Sequence, residues 1–236
     1  MNFSAAPWAL SLCALYLFSA TAGAQEEQDK LSLRMASVTR PPQEQYYLLT
    51  AKDAPVKVNV STWQLSKAVT VTRGKKYYLT TKVPDAEQGE NPAMHAICSF
   101  APSVSGKEII GILFRQQKDS AGHEWKMHQI EGDKANFKAG QRKVFNLSRY
   151  PIQIKFAGKV VKIAPRKSDS LKIPNSLKGE FIPVHGVFST DASGKKWRRF
   201  LSSRWTANKH TRSIIFVYPQ RSTKSLSYHG LDDSLE

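Results

Sequence analysis

The feature that most constrains this fold is a succession of short β-forming runs, closely spaced and separated by Gly, Pro, Asp and Ser. No long stretch keeps the 3.6-residue apolar period of an amphipathic helix. The segment 56–60 alternates apolar and polar residues, as a strand with one solvated face does. Strands are predicted at 46–50, 56–60, 68–72, 76–82, 93–100, 109–116, 124–130, 142–147, 152–156, 159–163, 181–188, 197–202 and 213–218. This pattern predicts an all-β protein, an antiparallel β-sandwich with two closely packed sandwich-like halves.

One hairpin is specified by local sequence. The runs 152–156 and 159–163 flank Ala157-Gly158, a two-residue turn in which glycine adopts a positive φ without steric cost.

The chain divides into five predicted segments. We expect a signal peptide at 1–24, a flexible arm at 25–42, a first sandwich half at 43–118, a second, basic half at 119–218 and a disordered tail at 219–236. The polar turn 118–123 either joins the two halves or closes an ordinary hairpin. No internal repeat is evident in the sequence.

The amino terminus predicts export. An apolar run at 10–18 is followed by Ala22-Gly23-Ala24, the small-x-small pattern of a cleavage site. The run is shorter than the ~20 residues that span a bilayer, so the mature chain is expected to carry no transmembrane anchor. The alternative is a buried or interfacial N-terminal helix. Export places the protein in the periplasm or outside the cell.

Positive charge is concentrated in the second half. Residues 25–133 hold 14 Lys and Arg against 13 Asp and Glu, whereas residues 134–231 hold 21 against three. A field of one sign attracts polyanions. The alternative is that the charge serves solubility alone.

The segment 195–212 interleaves cations with aromatic residues and contains no acid. Arginine grips anionic groups bidentately and aromatic faces stack on rings, so this segment is the candidate polyanion-binding site. Its residues are Lys195, Lys196, Trp197, Arg198, Arg199, Arg204, Trp205 and Arg212. The alternative is that the tryptophans belong to the core and the arginines are simply solvated.

No sequence motif indicates catalysis, a metal site or a cofactor. Cys98 is the only cysteine after the predicted signal and lies in an apolar run, so we expect a small buried residue without a disulfide partner. His95 and Cys98 are three residues apart, which places them on opposite faces of a strand. The sequence therefore predicts a non-enzyme, although residues distant in the sequence could still form a dispersed active site.

Several ordered motifs carry a family resemblance. They are Val144-Phe145-Asn146-Leu147-Ser148, Phe156-Ala157-Gly158-Lys159-Val160-Val161, Ile163-Ala164-Pro165, Ser202-Ser203-Arg204-Trp205 and Arg212-Ser213-Ile214-Ile215-Phe216-Val217. Over 109–218, and less closely over 46–81, the chain resembles exported β-rich proteins of Verrucomicrobia and related bacteria, a group without an assigned activity. The resemblance implies a secreted β-rich fold in a bacterial envelope and assigns no site residue.

Two functions follow as expectations. The first is an exported, non-catalytic protein that binds anionic envelope or extracellular polymers, with anionic polysaccharide as its partner and no nucleic acid. The alternative is a structural or assembly protein that contacts another envelope protein.

Overall fold

The computed structural model describes residues 29–234, apart from 44, 52, 86–88, 117, 119, 121, 178, 192–195 and 221–224. The chain is almost entirely β, with 54% strand and 2% helix, as predicted. Across these residues, no helix has the length and apolar character needed to cross a membrane. The predicted signal peptide at 1–24 lies outside the described residues.

The first half is a sandwich of two four-stranded sheets. Its strands are β1 (Lys30–Ser37), β2 (Gln45–Leu49), β3 (Val56–Asn59), β4 (Val69–Thr72), β5 (Tyr77–Thr80), β6 (Ala96–Phe100), β7 (Glu108–Arg115) and β8 (Trp125–Glu131), with a short 3-10 helix at Pro92–His95. Sheet A has the order β4-β1-β7-β8 and sheet B the order β3-β2-β5-β6. Leu33, Met35, Tyr46 and Leu79 are fully buried between them.

The second half is a second sandwich. Its strands are β9 (Gln141–Asn146), β10 (Ile152–Phe156), β11 (Lys159–Ile163), β12 (Ser168–Lys172), β13 (Phe181–Ser189), β14 (Trp197–Thr206), β15 (Thr211–Pro219) and β16 (Leu226–Ser234). Sheet C has the order β12-β9-β15-β16 and sheet D the order β11-β10-β13-β14. Their facing side chains form a core that includes Ile154, Val184, Phe188 and Val217.

The two halves repeat one topology. Each strand of the second half occupies the place of the strand eight positions earlier, and each half contains one parallel pair, β1 with β7 and β9 with β15. The structure thus contains an internal repeat of strand order that the side chains do not reveal. Strand order depends on which strands pair through their backbones, and different side chains can support the same pairing. The sequence would repeat only if the residues that pack in the two cores were also alike.

The expected flexible arm at 25–42 is wrong for residues 30–37. These residues form β1, which pairs with β4 on one side and with β7 on the other. Leu31, Leu33 and Met35 alternate with polar residues and point into the first core. β1 has four apolar residues in eight, because one of its faces lines that core and the other, which carries Ala36, meets sheet C.

The expected disordered tail at 219–236 is wrong for residues 226–234. These residues form β16, whose nine residues all pair antiparallel with β15. The strand is polar because it is an edge strand, and Leu226 and Leu231 are its buried apolar residues. A third unpredicted strand, β12, is also an edge strand, with four of its five residues exposed.

The boundary expected at 118/119 is displaced. The segment between β7 and β8 connects two antiparallel neighbours within sheet A. The first half therefore runs to Glu131, and the second begins at Gln141.

Sheets A and C pack against each other and join the halves. The apolar contact includes Ile110 and Ile112 from β7 with Ile214 and Phe216 from β15, all fully buried. The resulting layer order is B-A-C-D. Sheet D is therefore an outer layer, and the face of sheet D that points away from sheet C is open to solvent.

Candidate functional site

The open face of sheet D places cations from three strands on one surface, here called the basic sheet face. Strand register aligns Lys162, Gln153, Val187 and Arg199 in one row across the sheet. The next row is Val160, Lys155, His185 and Ser202, and Arg204 stands opposite Pro183 beyond it. Because neighbouring strands are about 4.8 Å apart, the two ends of a row are separated by roughly 14 Å.

The charge on this sheet is of one sign. The strands of sheet D contain six Lys and Arg residues and no Asp or Glu. Lys155, Lys162, Arg199 and Arg204 are exposed, and none forms an ion pair within the part of the chain that the structure describes. Such an arrangement maintains a positive potential at the surface, because the strands of this sheet carry no carboxylate to offset it.

Five of the predicted site residues lie at or beside this face. Arg199, Arg204 and Trp197 point outward, and Trp197 is 37% exposed. Lys196 and Arg198 are exposed at the beginning of β14, where the Lys196 amide donates to Asp191 Oδ2.

Two of the other predicted residues, Trp205 and Arg212, lie away from this face. Trp205 points between the sheets, where it is half-buried against Phe156. Lys195 lies outside the described residues.

The prediction that Arg212 contacts a polyanion is wrong. Its side chain is completely buried between the halves, where Nε donates to Asp233 Oδ2 at 2.7 Å and Nη2 donates to Glu108 Oε1 at 3.2 Å. Nη1 donates to the carbonyls of Gly132 and Phe137. Arg199 and Arg212 belong to one basic segment of the sequence but differ in burial. Arg199 lies on β14, in the outer sheet, whereas Arg212 lies on β15, which is inside the molecule.

Sequence reasoning missed Lys155, Lys162 and His185 as members of the same face. The signal was present for the two lysines, because 152–156 alternates apolar and polar residues and the two-residue turn places Lys162 opposite Gln153, on the same face as Lys155. His185 becomes a neighbour only through the pairing of β13 with β10.

A pocket of about 400 Å³, here called the edge pocket, opens beside the basic sheet face between β14 and β16. Trp205 and Tyr228 line it with ring centroids 6.5 Å apart, and Arg142 lies with its guanidinium carbon 5.4 Å from the Trp205 ring. Arg204 is shared between the pocket and the basic sheet face. Only Arg204 and Trp205 of these residues belong to the predicted site.

A larger groove of about 880 Å³ follows the seam between the halves. Phe114, Leu147 and Tyr218 contribute apolar surface, and Arg40 and Arg166 contribute charge. A neighbouring groove shares Val38 and Arg40 with this one, and Trp63 in its wall is 80% exposed and contacts His229 of β16 with ring centroids 6.0 Å apart.

The described residues provide neither a reactive thiol nor a metal-binding cluster. Cys98 is buried in β6, as expected, and burial raises the pKa of its thiol to about 12. A thiol with this pKa is not a nucleophile at neutral pH. Among the residues from 29 to 234 that the structure describes, no three His, Cys, Asp or Glu side chains form a cluster that could hold a metal ion.

No protein-family model matches this chain, and no curated protein matches it. The resemblance to exported proteins of Verrucomicrobia therefore stays a prediction.

Proposed function

We propose that this protein is an exported, non-catalytic binding module that holds anionic polysaccharide on the basic sheet face. The observation that carries the proposal is the convergence of Lys155, Lys162, Arg199 and Arg204 on an open sheet without a carboxylate. An extended, flat array of cations suits a polymer with repeated charges better than it suits a small buried ligand.

Aromatic residues border this array. Phe181 is 66% exposed and Trp197 is 37% exposed, and both lie on the outward face at opposite ends of β13 and β14. Exposed aromatic rings offer apolar area on which sugar rings stack, so charge and stacking would act on one chain.

The experiment uses two double variants with the same change in net charge. Lys155→Glu with Arg199→Glu reverses two cations on the basic sheet face, and Lys57→Glu with Lys126→Glu reverses two exposed lysines of the first half. Retention on a sulfated or uronic-acid matrix should fall steeply with salt for the unaltered chain, since exposed charges are screened within about 8 Å at physiological ionic strength.

The face variant should elute at clearly lower salt than the control variant. Equal losses would show that net charge alone drives retention, and elution of the unaltered chain that does not depend on salt would remove the proposal.

The seam groove favours a second candidate, a structural or assembly protein that contacts an envelope protein. Trp63 and the apolar surface of Phe114 and Tyr218 are the observations behind it. Aromatic residues and arginine are both enriched in protein contact sites, and this groove carries both. Crosslinking should then yield a partner that survives high salt and is lost in Trp63→Ala, whereas a monomer without a partner would count against this function.

A further inference from the structure

The edge pocket contains a buried cation that forms no direct ion pair among the residues that the structure describes. Arg142 is only 8% exposed, and burial lowers the pKa of its guanidinium. Nη1 donates to Ser213 Oγ at 2.9 Å and Nη2 donates to the Thr206 carbonyl. Nε has no hydrogen-bond partner among the residues that the structure describes.

Arg212, by contrast, is a buried arginine with both carboxylate and carbonyl partners. It is bonded to two carboxylates and two carbonyls, and its Nε donates to Asp233. Asp232 attracts Arg142 without a direct hydrogen bond between them, because Ser213 lies between the two and its hydroxyl donates to Asp232 Oδ1 at 2.6 Å. A buried charge is costly unless it is paired, so Arg142 has the environment of a residue that pairs with a bound anion.

The remaining walls suit a ring that carries hydroxyl groups. Trp205 and Tyr228 are tilted 49° to each other and form two apolar surfaces at the pocket. Asp232, Thr211 and Asn208 add hydrogen-bonding groups that hydroxyls can reach. Aromatic faces with a few polar groups are a common way of binding a small polar ring.

The charge of the walls selects the ligand. Arg142 and Arg204 contribute two positive charges and Asp232 contributes one negative charge, so one additional negative charge balances the pocket. A carboxylate supplies that charge in a planar group that accepts two parallel N–H bonds from arginine. Asp232 would repel a dianion more strongly than it repels a single carboxylate.

We propose that the edge pocket binds one sugar-acid residue, a pyranose with a single carboxylate, with the carboxylate at Arg142 and Arg204 and the ring against Trp205 and Tyr228. This inference deepens the proposed function and rests on it, because it assumes the same anionic polysaccharide as the ligand. The edge pocket holds one acidic sugar of the polysaccharide, and the neighbouring sugars lie over the basic sheet face. Arg204, which belongs to both surfaces, connects them.

The test uses single sugars, so that the pocket is separated from the polymer-binding face. The chain is titrated with glucuronate, and the indole N–H signal of Trp205 is followed by NMR, assigned with Trp205→Phe. Glucuronate should shift this signal saturably, and glucose and the methyl ester of glucuronate, which lack the charge, should not. Equal shifts with the neutral sugars, or no shift with glucuronate, would overturn the proposal.

Two variants locate the binding. Tyr228→Ala should weaken glucuronate binding about threefold to tenfold, the value of one aromatic contact. Arg142→Gln should weaken it at least about tenfold, since it removes the charge that pairs with the carboxylate. Tyr228 is 38% exposed on an edge strand, so its variant keeps the test valid if the Arg142 variant does not fold. Unchanged affinity in Tyr228→Ala would place the sugar elsewhere.

The two proposals fail separately. Lys155→Glu with Arg199→Glu should reduce retention on the polymer matrix and leave glucuronate binding intact. Tyr228→Ala should weaken glucuronate binding in the single-sugar titration and have only a small effect on polymer retention. A polymer that binds while glucuronate does not would refute the pocket and preserve the proposed function.

Discussion

Asp233→Asn tests whether buried charge holds the two sandwiches together. Asp233 is 6% exposed on β16, and its two oxygens accept bonds from Arg34 Nη1 at 2.8 Å, Arg34 Nη2 at 2.9 Å and Arg212 Nε at 2.7 Å. Arg34 belongs to the first half and Arg212 to the second. The substitution leaves two arginines with Glu108 as their remaining carboxylate.

The cost follows from this geometry. Removing one partner of a buried ion pair leaves an uncompensated charge and costs about 3–5 kcal/mol. Since domains are typically stable by only about 5–15 kcal/mol, this loss would be a large share of the free energy of unfolding. Urea unfolding followed by tryptophan fluorescence measures it.

Asp169→Asn is the matched control. Asp169 is exposed on β12 and, among the residues that the structure describes, accepts a bond only from the neighbouring Ser170 amide, so its loss should stay within about 0.5 kcal/mol. A loss below about 1 kcal/mol for Asp233→Asn would refute the reasoning, because it would mean that the pair contributes no more than an exposed one.

The Asp233 carboxylate should also make the stability of the protein depend on pH in the acid range. Burial opposes ionisation of Asp233, but hydrogen bonds from Arg34 and Arg212 outweigh burial and hold its pKa below the ordinary value of 3.8. A lowered folded-state pKa means stability that is present above the unfolded-state pKa and is lost as pH falls through the folded-state pKa. Below about pH 4, the unaltered chain should therefore lose more stability than Asp233→Asn, and parallel pH profiles would contradict this assignment.

Two further results are expected. Cys98 should resist thiol reagents at pH 8 in the native protein and react in denaturant, because it is buried with a raised pKa; equal rates, read by mass spectrometry, would contradict its placement. Gly186→Ala should destabilise the chain by about 1–3 kcal/mol, because its Cβ would lie 2.7 Å from Phe200 Cζ and 2.9 Å from Leu201 Cβ. Gly230→Ala, whose Cβ would meet nothing closer than 4.0 Å, should be nearly neutral in the same denaturant unfolding measurement, and equal losses would dismiss the steric argument.

Local sequence was sufficient where the structure depends on neighbours in the chain. The predicted hairpin strands 152–156 and 159–163 match the observed ones residue for residue, with Ala157 at φ 48° and Gly158 at φ 78°. The alternation of side chains and a two-residue turn determine such a unit without distant contacts.

The missed strands depend on distant partners. β1 pairs in parallel with β7, and Ser32 lies opposite Glu108. β16 is polar and acquires its order from β15. A polar segment and an edge strand have the same composition, so the sequence alone could not distinguish them.

The chain by itself determined an all-β fold, its turns and the excess of cations after residue 133, because alternation, turn chemistry and charge are properties of neighbouring residues. Tertiary structure decided which cations meet solvent. It placed Arg199 on an open sheet, buried Arg212 with Glu108, 104 positions away, and enclosed Arg142 with no hydrogen-bond partner for its Nε among the described residues. The physical reason is that the free energy of a charge depends on its burial and on its partners, and both are set by segments far apart in the chain.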